Sequence, residues 1–131
     1  MTDFEFEKQF EVGELPPELF THEAHIRLAW IHIGKYGVEH AITNIVSQIK
    51  AYTAKLGVPE KFNTTLTVAA VRAVYHFMLK NNTENFSSFI KNNPRLKKNF
   101  KELMASHYGF DIYNSQLAKQ QYLEPDLLPF D

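Results

Sequence analysis

Apolar residues recur every three or four positions along most of the chain, and that spacing predicts helices. The clearest stripe is Val38, Ile42, Ile45, Ile49, Tyr52 and Leu56, a helix over residues 38–56 that Gly57-Val58-Pro59 would end. A helix before it is expected over residues 21–36, with Thr21 as N-cap and Gly37 as its stop. A third is expected over residues 64–80, capped by Asn63 or Thr64, with Leu66, Ala70, Val74 and Phe77 on one face. Asn81-Asn82 would close it. Next comes a short helix over residues 83–91 carrying Phe86, Phe89 and Ile90. Asn93-Pro94 then reads as an N-cap followed by proline in the first turn, opening a helix over residues 94–106 through Leu96, Phe100, Leu103 and Met104. A last short helix over residues 115–122 precedes a proline-containing tail, residues 124–131.

Residues 1–14 follow another pattern. Phe4, Phe6, Phe10 and Val12 share one parity, which is strand-like, but no second strand-like run exists to pair with them. The segment therefore reads as an extended arm whose phenylalanines pack on the body, and Pro16-Pro17 introduces the first helix. No internal repeat, low-complexity tract or linker follows, so residues 15–131 read as one helical domain. The expected fold class is all-α: a single compact bundle of five to six helices with an extended N-terminal arm.

Composition narrows the function classes. The chain has 131 residues, 44% of them hydrophobic, enough for a core, and eleven Phe, six Tyr and one Trp make that core aromatic. A formal net charge of −1 offers no basic face, so neither nucleic acid nor an anionic membrane is expected as a partner. The one cationic cluster, Lys91, Arg95, Lys97, Lys98 and Lys101, reads as the solvated side of a helix. The absence of cysteine excludes disulfides, thiolate nucleophiles and Cys-based zinc sites. The acidic N-terminus is not a signal peptide, and no stretch approaches the ~18 apolar residues of a membrane span. A soluble cytoplasmic protein is the resulting expectation, with homo-oligomerisation left open. None of the five glycines fits a phosphate-binding loop, so nucleotide chemistry is not expected.

The candidate chemistry lies in residues 20–32, FTHEAHIRLAWIH, which carry three of the six histidines. At about 100° per residue, Glu23, Arg27, Gly34 and Lys35 share one arc. His22, His25, Ala29, His32 and Tyr36 fall on the opposite side, which should face inward. His40 and His76 fall on polar arcs and should be exposed; the direction of His107 is not deducible. An unsatisfied buried imidazole costs roughly 1–3 kcal/mol. Three on one face must therefore share partners, line a hydrated cavity or hold a ligand.

Four readings follow. In the first, each histidine bonds a backbone carbonyl, a tyrosine or a threonine, and the protein is a non-catalytic structural or interaction module. In the second, His22 and His25, three apart on one helix, hold Zn, Fe or Ni with His32 or His107 as third ligand. Against this, His22-Glu23-Ala24-His25 is one residue short of H-E-x-x-H. In the third, a desolvated His22 or His25 acts as an acid–base catalyst, while Tyr36, Asn63, Thr67 and Tyr75 orient a small substrate without any cofactor. In the fourth, the same groups with His32 and His107 form a non-catalytic ligand pocket between the first and third helices.

Three stretches resemble a family of small uncharacterised bacterial all-helical proteins. Phe20-Thr21-His22-Glu23-Ala24-His25 through Ala29-Trp30 is similar to its F-T-H-x-x-H-x-x-x-A-W opening. Phe62 to Thr67 resembles a Y-H-x-T-x-T segment, and His107-Tyr108 with Pro125-Asp126-Leu127 and Pro129 resembles an H-Y and P-D-L-x-P ending. The resemblance implies that His22, His25 and His107 belong to one site. Asn63 stands where that pattern has histidine, an exchange that suits a hydrogen-bonding role better than metal ligation.

Overall fold

Thr2 opens the first helix with a capping box. Its hydroxyl accepts the Glu5 N–H at 3.1 Å, and the Glu5 carboxylate accepts the Thr2 N–H at 3.1 Å. In the computed structural model, which describes residues 1–130, this helix is α1, Asp3–Glu11. Asp131, the last residue of the expected tail and domain, lies outside the described residues. The extended arm expected over residues 1–14 is thus mostly helical. Phe6 and Phe10 are buried as an i, i+4 pair, whereas Phe4 and Val12 are exposed. Even-numbered spacing fitted a strand and this pair equally well; the Thr-x-x-Glu box is what separates the two. Gly13, with φ of 76°, turns the chain out of the helix.

The chain forms two compact units, residues 1–62 and 63–131, and all its regular structure among the described residues is helical. In the first unit α1 packs on a hairpin of α2, His22–Tyr36, and α3, Val38–Lys55. Gly37, with φ of 84°, makes the corner between them. A 3-10 turn at Pro17–Leu19 leads into α2, and another at Pro59–Lys61 closes the unit against α3. Its core holds Ile26, Leu28, Ala29 and Ile33 of α2 and Ala41, Ile45, Ile49 and Tyr52 of α3. Each large apolar side chain so buried contributes about 2 kcal/mol. The Tyr52 hydroxyl donates to the Leu15 carbonyl at 2.7 Å, tying the connection between α1 and α2 to α3.

The second unit contains α4, Thr64–Asn81; α5, Phe86–Asn92; α6, Pro94–Lys97; α7, Phe100–His107; and α8, Gln116–Gln120. The single helix expected over residues 94–106 is two. The break falls at Lys98-Asn99, where Asn99 (φ −122°, ψ 34°) leaves helical geometry. Asparagine is a weak helix former, and the like charges of Lys97, Lys98 and Lys101 disfavour one continuous turn there. The short helix expected from Thr83 starts three residues later, because Asn85 is the residue whose side chain accepts the Ser88 N–H. The five cations between Lys91 and Lys101 are exposed as expected. No helix among the described residues is long and apolar enough to cross a membrane.

Candidate functional site

The three histidines of α2 take three different environments. Thr21 caps the helix, its hydroxyl accepting the Ala24 N–H at 3.2 Å. His22, in the first turn, is exposed. The inward direction expected for it fails although Ala29 and Ile33, on the same side of α2, are buried: the cover over that side does not reach His22 at the start of the helix.

His25 is half-buried. Its Nδ1–H donates to the Thr21 carbonyl at 2.9 Å, and its ring stacks on Phe20 at 3.8 Å between centroids. Phe20 in turn meets Phe10 and Tyr52, so the imidazole is one member of an aromatic cluster. A carbonyl can only accept, so neutral His25 carries its proton on Nδ1. Burial lowers its pKa, as does the neighbouring His22, against the opposing pull of the Thr21 carbonyl.

His32 faces fully inward at 1% exposure. The Asn44 side-chain amide of α3 lies 3.5 Å from its Nδ1, and an amide N–H only donates. The neutral ring therefore carries its proton on Nε2. That nitrogen is buried and makes no hydrogen bond among the described residues. Tyr36, one turn on and 40% exposed, places its ring 5.3 Å from that of His32.

Around this ring the structure assembles groups that the sequence pattern did not bring together. Glu7 of α1 is buried, and its carboxylate accepts from Lys35 Nζ at 2.7 Å and from the Tyr36 hydroxyl at 2.6 Å. Burial pushes the Glu7 carboxyl up, but the hydrogen bonds from Lys35 and Tyr36 together outweigh it and hold its pKa below the ordinary value. Its bond to Glu7, and then its interaction with the Tyr36 hydroxyl, raise the pKa of Lys35. Burial lowers the pKa of His32; the charge of Glu7 opposes this, Lys35 reinforces it, and Glu11 opposes it. Lys35 was expected to point to solvent, and its side chain is indeed half exposed, but its ammonium reaches back to Glu7. An extended arm over residues 1–14 gives Glu7 no fixed inward side, so the sequence pattern does not mark it. The signal that could have found it is its place between Phe6 and Phe10 in a capped helix.

The remaining expected site residues belong to the second unit, where Asn63, Thr67 and His107 are held by internal bonds. Asn63 caps α4, its Oδ1 accepting the Leu66 N–H at 3.0 Å, and its Nδ2 donates to the Ile112 carbonyl at 2.8 Å. The Thr67 hydroxyl donates to the Asn63 carbonyl at 2.7 Å. His107 is buried; its Nδ1–H donates to the Leu128 carbonyl at 2.7 Å, and its ring stacks on Phe130 at 4.1 Å. His40 is exposed, as expected, and His76 is half-buried. Tyr75 is half-buried on α4.

Chemically, the first unit offers an ionised carboxylate, a phenol, an ammonium and a neutral imidazole donor within one cluster. The donor set does not fit zinc, iron or nickel: among the described residues no three His, Asp or Glu side chains converge in a way that could hold a metal ion. No protein-family model, curated protein or solved structure matches the chain.

Proposed function

We propose that the first unit binds a small polar molecule at His32, with Glu7, Tyr36 and Asn44 as its surroundings. The observation that carries this reading is the buried His32 Nε2, a hydrogen-bond donor with no acceptor. Left so, it costs roughly 1–3 kcal/mol, and a bound ligand that accepts from it recovers that loss. The neutral imidazole and the ionised Glu7 also suit general acid–base work on such a ligand. An organic ligand is better supported than a metal, because the surrounding groups lack a convergent donor set.

A thermal-shift screen of small polar compounds against the full chain tests the proposal. A hit should stabilise the protein and His22→Ala, and lose its effect in His32→Phe, which keeps a ring and removes the donor. A hit that stabilises His32→Phe equally would place binding elsewhere and remove this reading.

A second reading has its own support. His25 and His107 both donate from Nδ1 to main-chain carbonyls, which suits a structural or interaction module whose histidines are internal fasteners. It is the better account of the second unit. For the first unit it leaves the His32 donor unexplained.

A further inference from the structure

The ligand-binding reading of His32 extends to the chemical class of the ligand, and the inference here rests on that reading. Two buried polar atoms of the first unit make no hydrogen bond among the described residues, His32 Nε2 and Gln48 Oε1. They are complementary: the imidazole N–H can only donate, and the amide oxygen can only accept. Gln48 follows Asn44 by four residues on α3. The two side chains therefore lie on one face of that helix, about 6 Å apart along its axis, and Asn44 is the residue that meets the other nitrogen of His32.

The charges beside the ring are already matched. Buried Glu7 is paired with Lys35, so the cluster carries no net charge to neutralise a charged guest. An anion would satisfy His32 but bring nothing to Gln48, and it would stand beside the Glu7 carboxylate. A cation would satisfy Gln48 but leave the imidazole N–H without an acceptor. Burying either without a counter-charge is costly.

We propose that the site takes an uncharged primary amide or urea group, whose oxygen accepts from His32 Nε2 and whose NH2 donates to Gln48 Oε1. A planar amide carries both functions on neighbouring atoms of one rigid group, matching two orphans on adjacent helices.

The test uses the full chain, labelled with 15N, and follows the imidazole nitrogens by long-range 1H–15N correlation. Three probes of nearly equal shape are titrated: acetamide, acetate and acetamidinium, which differ mainly in charge. Acetamide should shift the His32 Nε2 resonance saturably and bind at least about tenfold more tightly than either ion. Gln48→Met, which keeps the volume and removes the acceptor, should weaken acetamide about fivefold while the spectrum stays folded. If acetate or acetamidinium binds as tightly, the uncharged class is wrong while binding at His32 stands. Unchanged acetamide affinity in Gln48→Met overturns the two-point contact. If no probe moves His32, solvent alone satisfies the ring, and the binding reading falls with this one.

Discussion

Tyr36 donates its phenolic hydrogen to Glu7 across 2.6 Å, joining the last turn of α2 to the middle of α1. The bond couples a half-exposed donor to a buried, ionised acceptor. Hydrogen bonds to charged groups are worth more than neutral ones, but exposure of the phenol returns part of that to water. Tyr36→Phe should therefore lower unfolding free energy by roughly 1 kcal/mol in urea titrations. Glu7→Leu should cost less than Glu7→Ala, because leucine refills the space that the carboxylate leaves among buried neighbours. Equal costs would mean that Glu7 matters only as a charge.

Acidification should weaken the protein in two stages. His25 and His32 both have folded-state pKa values below the ordinary histidine range, with burial the largest cause in each. Between the folded and unfolded values the unfolded chain binds more protons, so stability must fall as pH falls. The contribution is fully present above the unfolded histidine value and is lost downward from about pH 6.5. Glu7 acts in the same direction lower down, since its pKa is also depressed: its contribution is present above the unfolded carboxyl value and lost as pH falls through the folded one. Denaturant titrations between about pH 7 and pH 5 should show this decline. His32→Gln should flatten the first stage without removing the second. A slope unchanged by His32→Gln would show that the ring titrates as freely when folded as when unfolded.

Asn63 is a sharper case, because its two side-chain bonds can be removed one at a time. Asn63→Ser keeps an oxygen to cap the Leu66 N–H and is too short to donate to the Ile112 carbonyl. Asn63→Ala loses both. The first should cost about 1 kcal/mol and the second about 2 kcal/mol by chemical denaturation. The surrounding threonines add to the same fastening: the Thr64 hydroxyl donates to the Lys119 carbonyl and the Thr65 hydroxyl to the Gln121 carbonyl. A neutral result for Asn63→Ala would leave the cap without energetic weight.

The α2–α3 hairpin was legible in the sequence because its apolar spacing, threonine cap and Gly37 corner all pointed one way. Helix α1 was not, since Phe6 and Phe10 serve both a period of two and an i, i+4 pair. The Lys98-Asn99 break was hidden for the opposite reason: Leu96, Phe100, Leu103 and Met104 keep a helical period on either side of it. For the site, a rotational argument on α2 placed His32 inward correctly, and it failed for His22 because a first turn need not share the burial of the helix centre. It could not place Glu7 or Asn44 beside His32, because those meetings depend on how three helices pack and not on any one helix's period.

The motif pair His107-Tyr108 and Pro125 to Pro129 turns out to be one fastening within the second unit. The Leu127 N–H donates to the His107 carbonyl at 3.0 Å, and the His107 ring donates back to the Leu128 carbonyl. The Gly109 N–H donates to Asp126 at 2.7 Å, and the Tyr108 hydroxyl donates to the Leu123 carbonyl at 2.8 Å. Phe130 closes the arrangement, buried and stacked on His107, while Leu127 and Leu128 stay exposed beside it. The hydrogen bonds are individually worth about 1 kcal/mol, and the buried ring contributes about as much as two of them. Phe130→Ala should therefore destabilise the second unit by about 3 kcal/mol and speed amide exchange at Leu127, whereas Leu128→Ala should change little. His107→Phe separates packing from hydrogen bonding, since phenylalanine keeps the stack and cannot donate to Leu128. Its cost should fall near 1 kcal/mol, well short of Phe130→Ala. The reverse order would mean that the imidazole bond, and not the ring contact, holds this segment down.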